Sequence, residues 1–330
     1  MTLHGALIAG TGSCVPERKL TNFDLEKLVD TSDDWIVQRT GIRERRIAAA
    51  DESSSSLAIV AAQRALAAAN TSPEEIDLII CATITPDMPT PSNACLIQHA
   101  LGCRRGIGAM DLNAACSGFV YALVTATNFI KTGSAKTVLV VGAETLSRIT
   151  DYTDRSTCIL FGDGAGAAVL KQTPDRSVGV QAFELGSDGT GAMLLHVPAG
   201  GSRQPATLES VGGKFHTLKM SGREVFKFAV AQMSESIQKA MNACGLTPEQ
   251  IKLVIPHQSN ARIIDSAASK IGLTADRMFI NIDRYGNTSA ASVAIALDEA
   301  IRAGRCGPGD WVVIIGIGGG LTWATVTVKL

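Results

Sequence analysis

The chain has 330 residues, 46% of them hydrophobic, with 32 glycines and a formal net charge of −1. This length suits two core-bearing units, the near-neutral charge disfavours a nucleic-acid binder, and no run approaches the roughly 20 apolar residues of a membrane span. The opening stretch from Met1 to Gly10 lacks the basic and apolar regions of a signal peptide, so a cytoplasmic location is expected.

Taken in chain order, helical spacing over Ser54 to Asn70 leads into an apolar strand at Asp77 to Ala82. A second helix is predicted over Gly118 to Lys131, followed by strands at Thr137 to Gly142 and Ala165 to Leu170. After the polar stretch Lys171 to Val178 come a helix over Ser221 to Cys244, a strand at Leu253 to Pro256 and a helix over Ala261 to Ile271. A last helix at Ser289 to Ala303 precedes strands at Trp311 to Gly316 and Ala324 to Lys329. Strands alternating with helices in this way predict an α/β protein built on largely parallel sheets.

The chain also repeats itself. Ser72-Pro73-Glu74-Glu75-Ile76-Asp77-Leu78-Ile79-Ile80 returns as Thr247-Pro248-Glu249-Gln250-Ile251-Lys252-Leu253-Val254-Ile255. Val138 to Gly142 returns as Val312 to Gly316, and Gly10-Thr11-Gly12 loosely as Gly186-Ser187-Asp188-Gly189. All three offsets lie within 174–176 residues. Two copies of one α/β half are expected, over residues 1–172 and 173–330.

Of eight cysteines, none form a Cys-x-x-Cys pair, which argues against a zinc site or a disulfide frame. Cys116 alone stands where an apolar run gives way to a helix. Unpartnered N–H groups and the positive end of the helix dipole favour a thiolate there, so its pKa is expected below the reference of about 8.5. Aligning Ile130 with Ile301 and Gly133 with Gly304 places Asn287 opposite Cys116 in the second half, again before a helix. His257 follows the strand Leu253 to Pro256, and ligands gather beyond the carboxyl ends of such strands. Cys116, His257 and Asn287 are therefore expected on one rim, the first half carrying the nucleophile and the second its two polar partners. The glycine runs complete no dinucleotide fingerprint.

Cys116 in Ala-Ala-Cys-Ser-Gly-Phe, His257 in Pro-His-Gln-Ser-Asn-Ala-Arg and Asn287 in Gly-Asn-Thr-Ser-Ala-Ala-Ser together resemble the β-ketoacyl-acyl-carrier-protein synthase III family. Thr40-Gly41-Ile42-Arg43-Glu44-Arg45 and the run Phe161 to Ala167 add to the likeness, which spans nearly the whole chain. The resemblance implies a thiolase-like five-layered αβαβα fold of two duplicated halves, usually as a homodimer. It implies the initiating condensation of fatty acid biosynthesis, in which Cys116 takes an acyl group from acyl-CoA and condenses it with malonyl-acyl-carrier protein, releasing CoA and CO2. The backbone N–H groups of Cys116 and Gly319 would form the oxyanion hole, and His257 and Asn287 would stabilise the malonyl enolate. No cofactor or metal is implied. Trp35 and Arg155 would sandwich the adenine, with Arg39 near the nucleotide. Lys227 and Arg262 would meet phosphates or the acidic carrier, and Asn260 the pantetheine arm. Arg43, Arg45, Arg46 and Lys270 are expected to be solvated surface charges.

Two departures concern the primer. Ile317 stands before the glycines where acetyl-preferring members usually carry Phe, and Thr90 where Phe often closes the acyl pocket across the dimer. Smaller side chains predict tolerance of primers longer than acetyl. A related condensing enzyme for a quinolone or polyketide starter unit is the alternative. A papain-like hydrolase shares the order Cys, His, Asn, but neither the local motifs nor the duplication fit it.

Overall fold

The computed structural model describes residues 4–330. Its first half carries strands β1 (Gly5–Cys14), β2 (Leu78–Ala82), β3 (Gly108–Leu112), β4 (Thr137–Thr145) and β5 (Asp163–Thr173). With them come helices α1 (Ser54–Ala68), α2 (Asn93–Leu101) and α3 (Gly118–Lys131). The second half carries strands β6 (Gly179–Ser187), β7 (Ile251–Pro256), β8 (Trp311–Gly318) and β9 (Thr322–Lys329), and helices α4 (Gly222–Ala243), α5 (Ala261–Lys270) and α6 (Ala290–Arg302).

The first sheet runs β1-β5-β4-β2-β3 and the second β7-β8-β9-β6. In each, a parallel pair, β2 with β4 or β7 with β8, continues through antiparallel neighbours. β2, β4, β5 and β1 thus correspond to β7, β8, β9 and β6, matching the internal repeat. The second sheet has only a single parallel bridge, Val254 with Met278, where the first has β3 beside β2.

Alternation along the buried strands produces the layers, because successive side chains point to opposite faces. Leu78, Ile80, Val138 and Val140 face a central core with Phe119, Val120 and Leu123 of α3, Val293 and Leu297 of α6, and Leu253, Ile255, Val312 and Ile314 of the second sheet. Ile79, Leu139 and Val141 face outward onto Leu57, Ala61 and Ala65 of α1 and Ile97 of α2. Val254, Val313 and Ile315 face outward onto Met233 and Ile237 of α4 and Ile264 of α5. The order is helix, sheet, helix pair, sheet, helix: the five-layered αβαβα arrangement.

The two central helices begin beside each other because small residues let them. A Cβ at Gly142 in β4 would fall 2.6 Å from the Ala290 carbonyl oxygen at the start of α6, and one at the repeat-equivalent Gly316 in β8 would fall 2.7 Å from Ser117 Cα before α3. Each sheet therefore presses a glycine against the helix start contributed by the other half, and both N-termini are drawn to one place. Strand β1, not predicted from sequence, is broken in its apolar pattern by Gly10 and Gly12, whose lack of side chains lets α1 lie directly on the strand.

Candidate active site

Cys116 lies in a short 3-10 turn, Ala115–Ser117, immediately before α3, and is 6% exposed. Ala115 adopts φ +48°, a left-handed conformation unusual for alanine, which turns the chain sharply into the nucleophile. Behind it, a Cβ at Gly318 would fall 2.5 Å from the Cys116 nitrogen, so the end of β8 packs directly on the cysteine backbone. The N–H groups of Cys116 and Gly319 both face the sulfur. Two converging N–H donors are the geometry that stabilises an oxyanion on a carbonyl attacked at that sulfur.

Burial pushes the Cys116 thiol up to about 11, against the lowering effect of the Ser289 hydroxyl and the two N–H groups. This reverses the expectation of a thiol substantially ionised near neutral pH. Removing the sulfur from water outweighs the helix end, and the resting group is the thiol.

His257 follows β7 and is 2% exposed, its backbone N–H donating to the Ile315 carbonyl at 2.8 Å. Its Nδ1 lies 2.7 Å from Ser292 Oγ on the first turns of α6. The Gln258 N–H also points to that oxygen, at 3.4 Å, and among the described residues Nδ1 is the only acceptor for the Ser292 hydroxyl hydrogen, so Oγ donates to Nδ1. This assigns the imidazole proton to Nε2. Burial holds the imidazole down to about 3, so it stays neutral and offers an N–H without bringing charge.

Asn287 is pinned by its backbone: Asn287 N–H donates to the Leu160 carbonyl at 2.8 Å and Gly162 N–H to the Asn287 carbonyl at 3.0 Å. Its Oδ1 accepts the Ser289 N–H at 2.9 Å, which turns the Nδ2 donors outward as the free end of the amide. The Phe161-Gly162 motif thus works as the cradle for Asn287.

Cys116, His257, Asn287, Asn260, Ile317 and Gly319 line one cavity, together with Phe226 and Phe161. A second, mainly apolar cavity continues beyond the sulfur, lined by Ile84, Leu146, Ile149, Leu195, His196 and Leu218. Cys116 and Gly319 border both. Ile317 lines only the first cavity, and Thr90 is exposed and lines neither within one chain.

At the mouth, Asn260 caps α5 by accepting the Arg262 N–H at 2.9 Å and donates to the Arg39 carbonyl at 3.0 Å. Arg39 and Arg155 lie over the Trp35 ring at 5.4 and 4.9 Å, and Arg262 over Phe226 at 5.6 Å. Arg155 stacks on Trp35 itself, so a base entering between them requires the guanidinium to swing out. Lys227 is exposed on the first turns of α4.

Arg45 is a correction. Expected in solvent, it is fully buried: it donates to the Leu20 carbonyl at 3.1 Å, to Asn22 Oδ1 at 2.9 Å and to the Ile159 carbonyl at 2.6 Å. Gly162 and Gly286 both pack against its Cβ, so it braces the two loops that hold Asn287. Arg46 is also more enclosed than expected, donating to the Pro16 carbonyl and lying over Tyr285, whereas Arg43 and Lys270 are exposed. The positions of Ser292 and Ser289 and the burial of Arg45 are not legible in the sequence, because nothing in local spacing signals a side chain whose partner is distant in sequence.

The family model described as 3-oxoacyl-[acyl-carrier-protein (ACP)] synthase III matches residues 110–189, and its C-terminal companion matches residues 241–330. A beta-ketoacyl-[acyl-carrier-protein] synthase III of Caldanaerobacter subterraneus subsp. tengcongensis is 54% identical over 98% of this chain and 97% of its own. The crystal structure of 3-oxoacyl-[acyl-carrier-protein] synthase III from Aquifex aeolicus is 48% identical, with a TM-score of 0.91 over 99% of this chain and 100% of its own. The priming β-ketosynthase of the R1128 polyketide pathway superposes with a TM-score of 0.92 at 36% identity, covering 100% of this chain and 97% of its own. The chain therefore belongs to the 3-oxoacyl-[acyl-carrier-protein] synthase III family and has its thiolase-type fold.

Proposed function

We propose that the chain condenses an acyl-CoA primer with malonyl-acyl-carrier protein, giving 3-oxoacyl-acyl-carrier protein, CoA and CO2 at the start of fatty acid synthesis. The observation that carries this reading is the position of Cys116: it borders two cavities, beside two N–H donors, with neutral His257 and Asn287 lining the first. A reaction that takes an acyl group from one carrier and delivers it to another needs that layout. Identity of 54% to the Caldanaerobacter enzyme, against 36% to the polyketide priming enzyme, supports the fatty acid reading over a polyketide starter.

In the first half-reaction the Cys116 sulfur attacks the primer thioester, the carbonyl oxygen is held by the Cys116 and Gly319 N–H groups, and the thiol proton leaves with CoA as its free thiol. The primer's chain then occupies the second, mainly apolar cavity. In the second, the malonyl C–C bond breaks and its electron pair forms an enolate as CO2 departs. Nε2–H of His257 and Nδ2–H of Asn287 donate to the enolate oxygen. The carbanion attacks the acyl-Cys carbonyl, the C–S bond breaks, and one proton taken up returns Cys116 to its thiol. Decarboxylation supplies the carbanion without a base, so a histidine held neutral by burial is suited to the task.

Arg39, Arg155, Lys227 and Arg262 meet the anionic carriers at the mouth, with Trp35 and Asn260 contacting the CoA or pantetheine arm. The protein works as a cytoplasmic homodimer of two-half chains divided near residue 172, a second copy covering the open edge of the first sheet at β3 and bringing Thr90 to the acyl pocket. Thr90 leaves that pocket roomier than a phenylalanine would, whereas Ile317 lines the cavity that holds His257 and Asn287. The test is CO2 release from malonyl-acyl-carrier protein with acyl-CoA primers of increasing length, for the wild type and Cys116→Ser. The reading predicts turnover with primers longer than acetyl and none in the variant; good acetyl but no octanoyl turnover contradicts the primer assignment.

A further inference from the structure

The two N–H groups that would hold the oxyanion come from different halves of the chain: Cys116 from the turn before α3, Gly319 from the tip of the β8–β9 hairpin. Both residues border both cavities. Such donors stabilise developing charge only if they are fixed before it appears, and Gly319, between Gly318 and Gly320, has no side chain of its own to fix it. Two hydroxyls make the link. Thr322 Oγ1, at the start of β9, lies 3.1 Å from the Gly319 carbonyl oxygen, 2.9 Å from the Ala114 carbonyl oxygen and 2.8 Å from Ser117 Oγ. Ser117 Oγ lies 2.7 Å from the same Ala114 oxygen. Two hydroxyl hydrogens thus serve two carbonyl oxygens and each other, and Ser117 is fully buried, so water does not reach its end of the network. On its far side the hairpin tip is tied by backbone: the Leu321 N–H donates to the Asp188 carbonyl at 2.8 Å and the Asp188 N–H to the Leu321 carbonyl at 2.9 Å. That tie holds the tip to its own half, whereas the hydroxyl pair joins it to the turn that carries Cys116.

We infer that Thr322 is a positioning residue for the oxyanion hole: its hydroxyl, with that of Ser117, bonds the 114–117 turn to Gly319 and so fixes the spacing of the two N–H donors. The inference rests on the reading of Cys116 as the acyl-carrying nucleophile. It separates two reactions of the same sulfur. Attack on a thioester puts negative charge on the carbonyl oxygen and calls on both donors. Alkylation by iodoacetamide displaces iodide from a saturated carbon and develops no oxyanion. Loss of the link slows the first and spares the second, whereas a threonine that merely held the fold together would disturb both.

The test compares Thr322→Val, which exchanges the hydroxyl for a methyl group of similar size, with the wild type in the full-length protein. Intact mass follows single-turnover acylation of Cys116 by acetyl-CoA or butyryl-CoA, whichever the wild type takes faster, and peptide mass follows its alkylation by iodoacetamide. Acylation at saturating thioester should slow about tenfold, against the roughly 100- to 1,000-fold that loss of a whole oxyanion donor costs in other enzymes. The thioester concentration giving half the maximal rate, and the alkylation rate, should each stay within about twofold. Thr322→Ser, which keeps the hydroxyl, should restore acylation to within about twofold of the wild type. If Thr322→Val does not fold, Ser117→Ala carries the test in the same two assays, with acylation expected to fall about threefold because Thr322 keeps its two carbonyl contacts. Acylation unchanged in the folded variant, alkylation falling in step with acylation, or a Thr322→Ser no faster than Thr322→Val overturns the inference. Failure of the wild type to acylate on Cys116 with either thioester overturns the nucleophile reading instead, so the two failures are distinguishable.

Discussion

Ser292→Ala separates the two half-reactions. The substitution removes one oxygen, the group 2.7 Å from His257 Nδ1, at a site where serine and histidine are each 2% exposed. No water takes the place of the lost donor without cost, and an unsatisfied buried polar atom costs about 1–3 kcal/mol. Alanine is a good helix former, so α6 itself should not suffer. The cost falls on the orientation of the imidazole and on which nitrogen carries the proton. If Nε2–H must donate to the enolate, the decarboxylation barrier rises by a similar amount, about 5- to 150-fold in rate. Acylation of Cys116, which relies on the two N–H groups instead, should change by less than about twofold, within roughly 0.4 kcal/mol. The assay is stopped-flow CO2 release from malonyl-acyl-carrier protein on pre-acylated protein, beside intact-mass kinetics of acylation. Equal loss in both steps, or none in decarboxylation, refutes the assignment of His257 to the second half-reaction.

Other perturbations follow from packing and charge. Gly316→Ala would place a methyl 2.7 Å from Ser117 Cα; overpacking of about 1–3 kcal/mol should lower the melting temperature and slow acylation together. Arg45→Met should cost about 3 kcal/mol or more in urea unfolding, since it orphans three buried acceptors, and should weaken turnover through the Asn287 loop. Glu144 has its folded-state pKa raised from 4.5 to about 7, so the unfolded chain gives up its proton first. Its contribution to stability is therefore present below pH 4.5 and lost as pH rises to about 7, on the order of 3 kcal/mol, and Glu144→Gln should remove that slope from denaturant midpoints measured across the window. His257, lowered from 6.5 to about 3, has the opposite sign: stability falls as pH drops below 6.5, a slope that His257→Gln should abolish.

Much of the architecture was legible because fully buried strands must be continuous apolar runs. The expected strand at Trp311 to Gly316 lies inside Trp311–Gly318, and the expected helix at Gly118 to Lys131 matches its observed span. Strands that carry their packing on glycine or lie at a sheet edge were not legible: β1 hides behind Gly10 and Gly12, and β6 exposes Phe183 and Leu185. Asn287 emerged from the repeat, since duplication predicts a counterpart to any position. Ser292, Ser289 and Glu144 did not, because their meaning lies in what a distant segment places beside them. Arg45 followed the usual rule that guanidinium groups face water, and three backbone and side-chain acceptors override it. The Cys116 thiol shows the same limit: the helix start is visible in sequence, whereas the depth of its burial is not.

The central claim is that Cys116 carries the acyl group. Intact-mass measurement of the protein after brief exposure to acyl-CoA, followed by peptide mapping, tests it directly. The account predicts one acyl increment per chain, on Cys116, absent in Cys116→Ser and discharged when malonyl-acyl-carrier protein is added. An increment on another residue, or turnover that persists in Cys116→Ser, would contradict it.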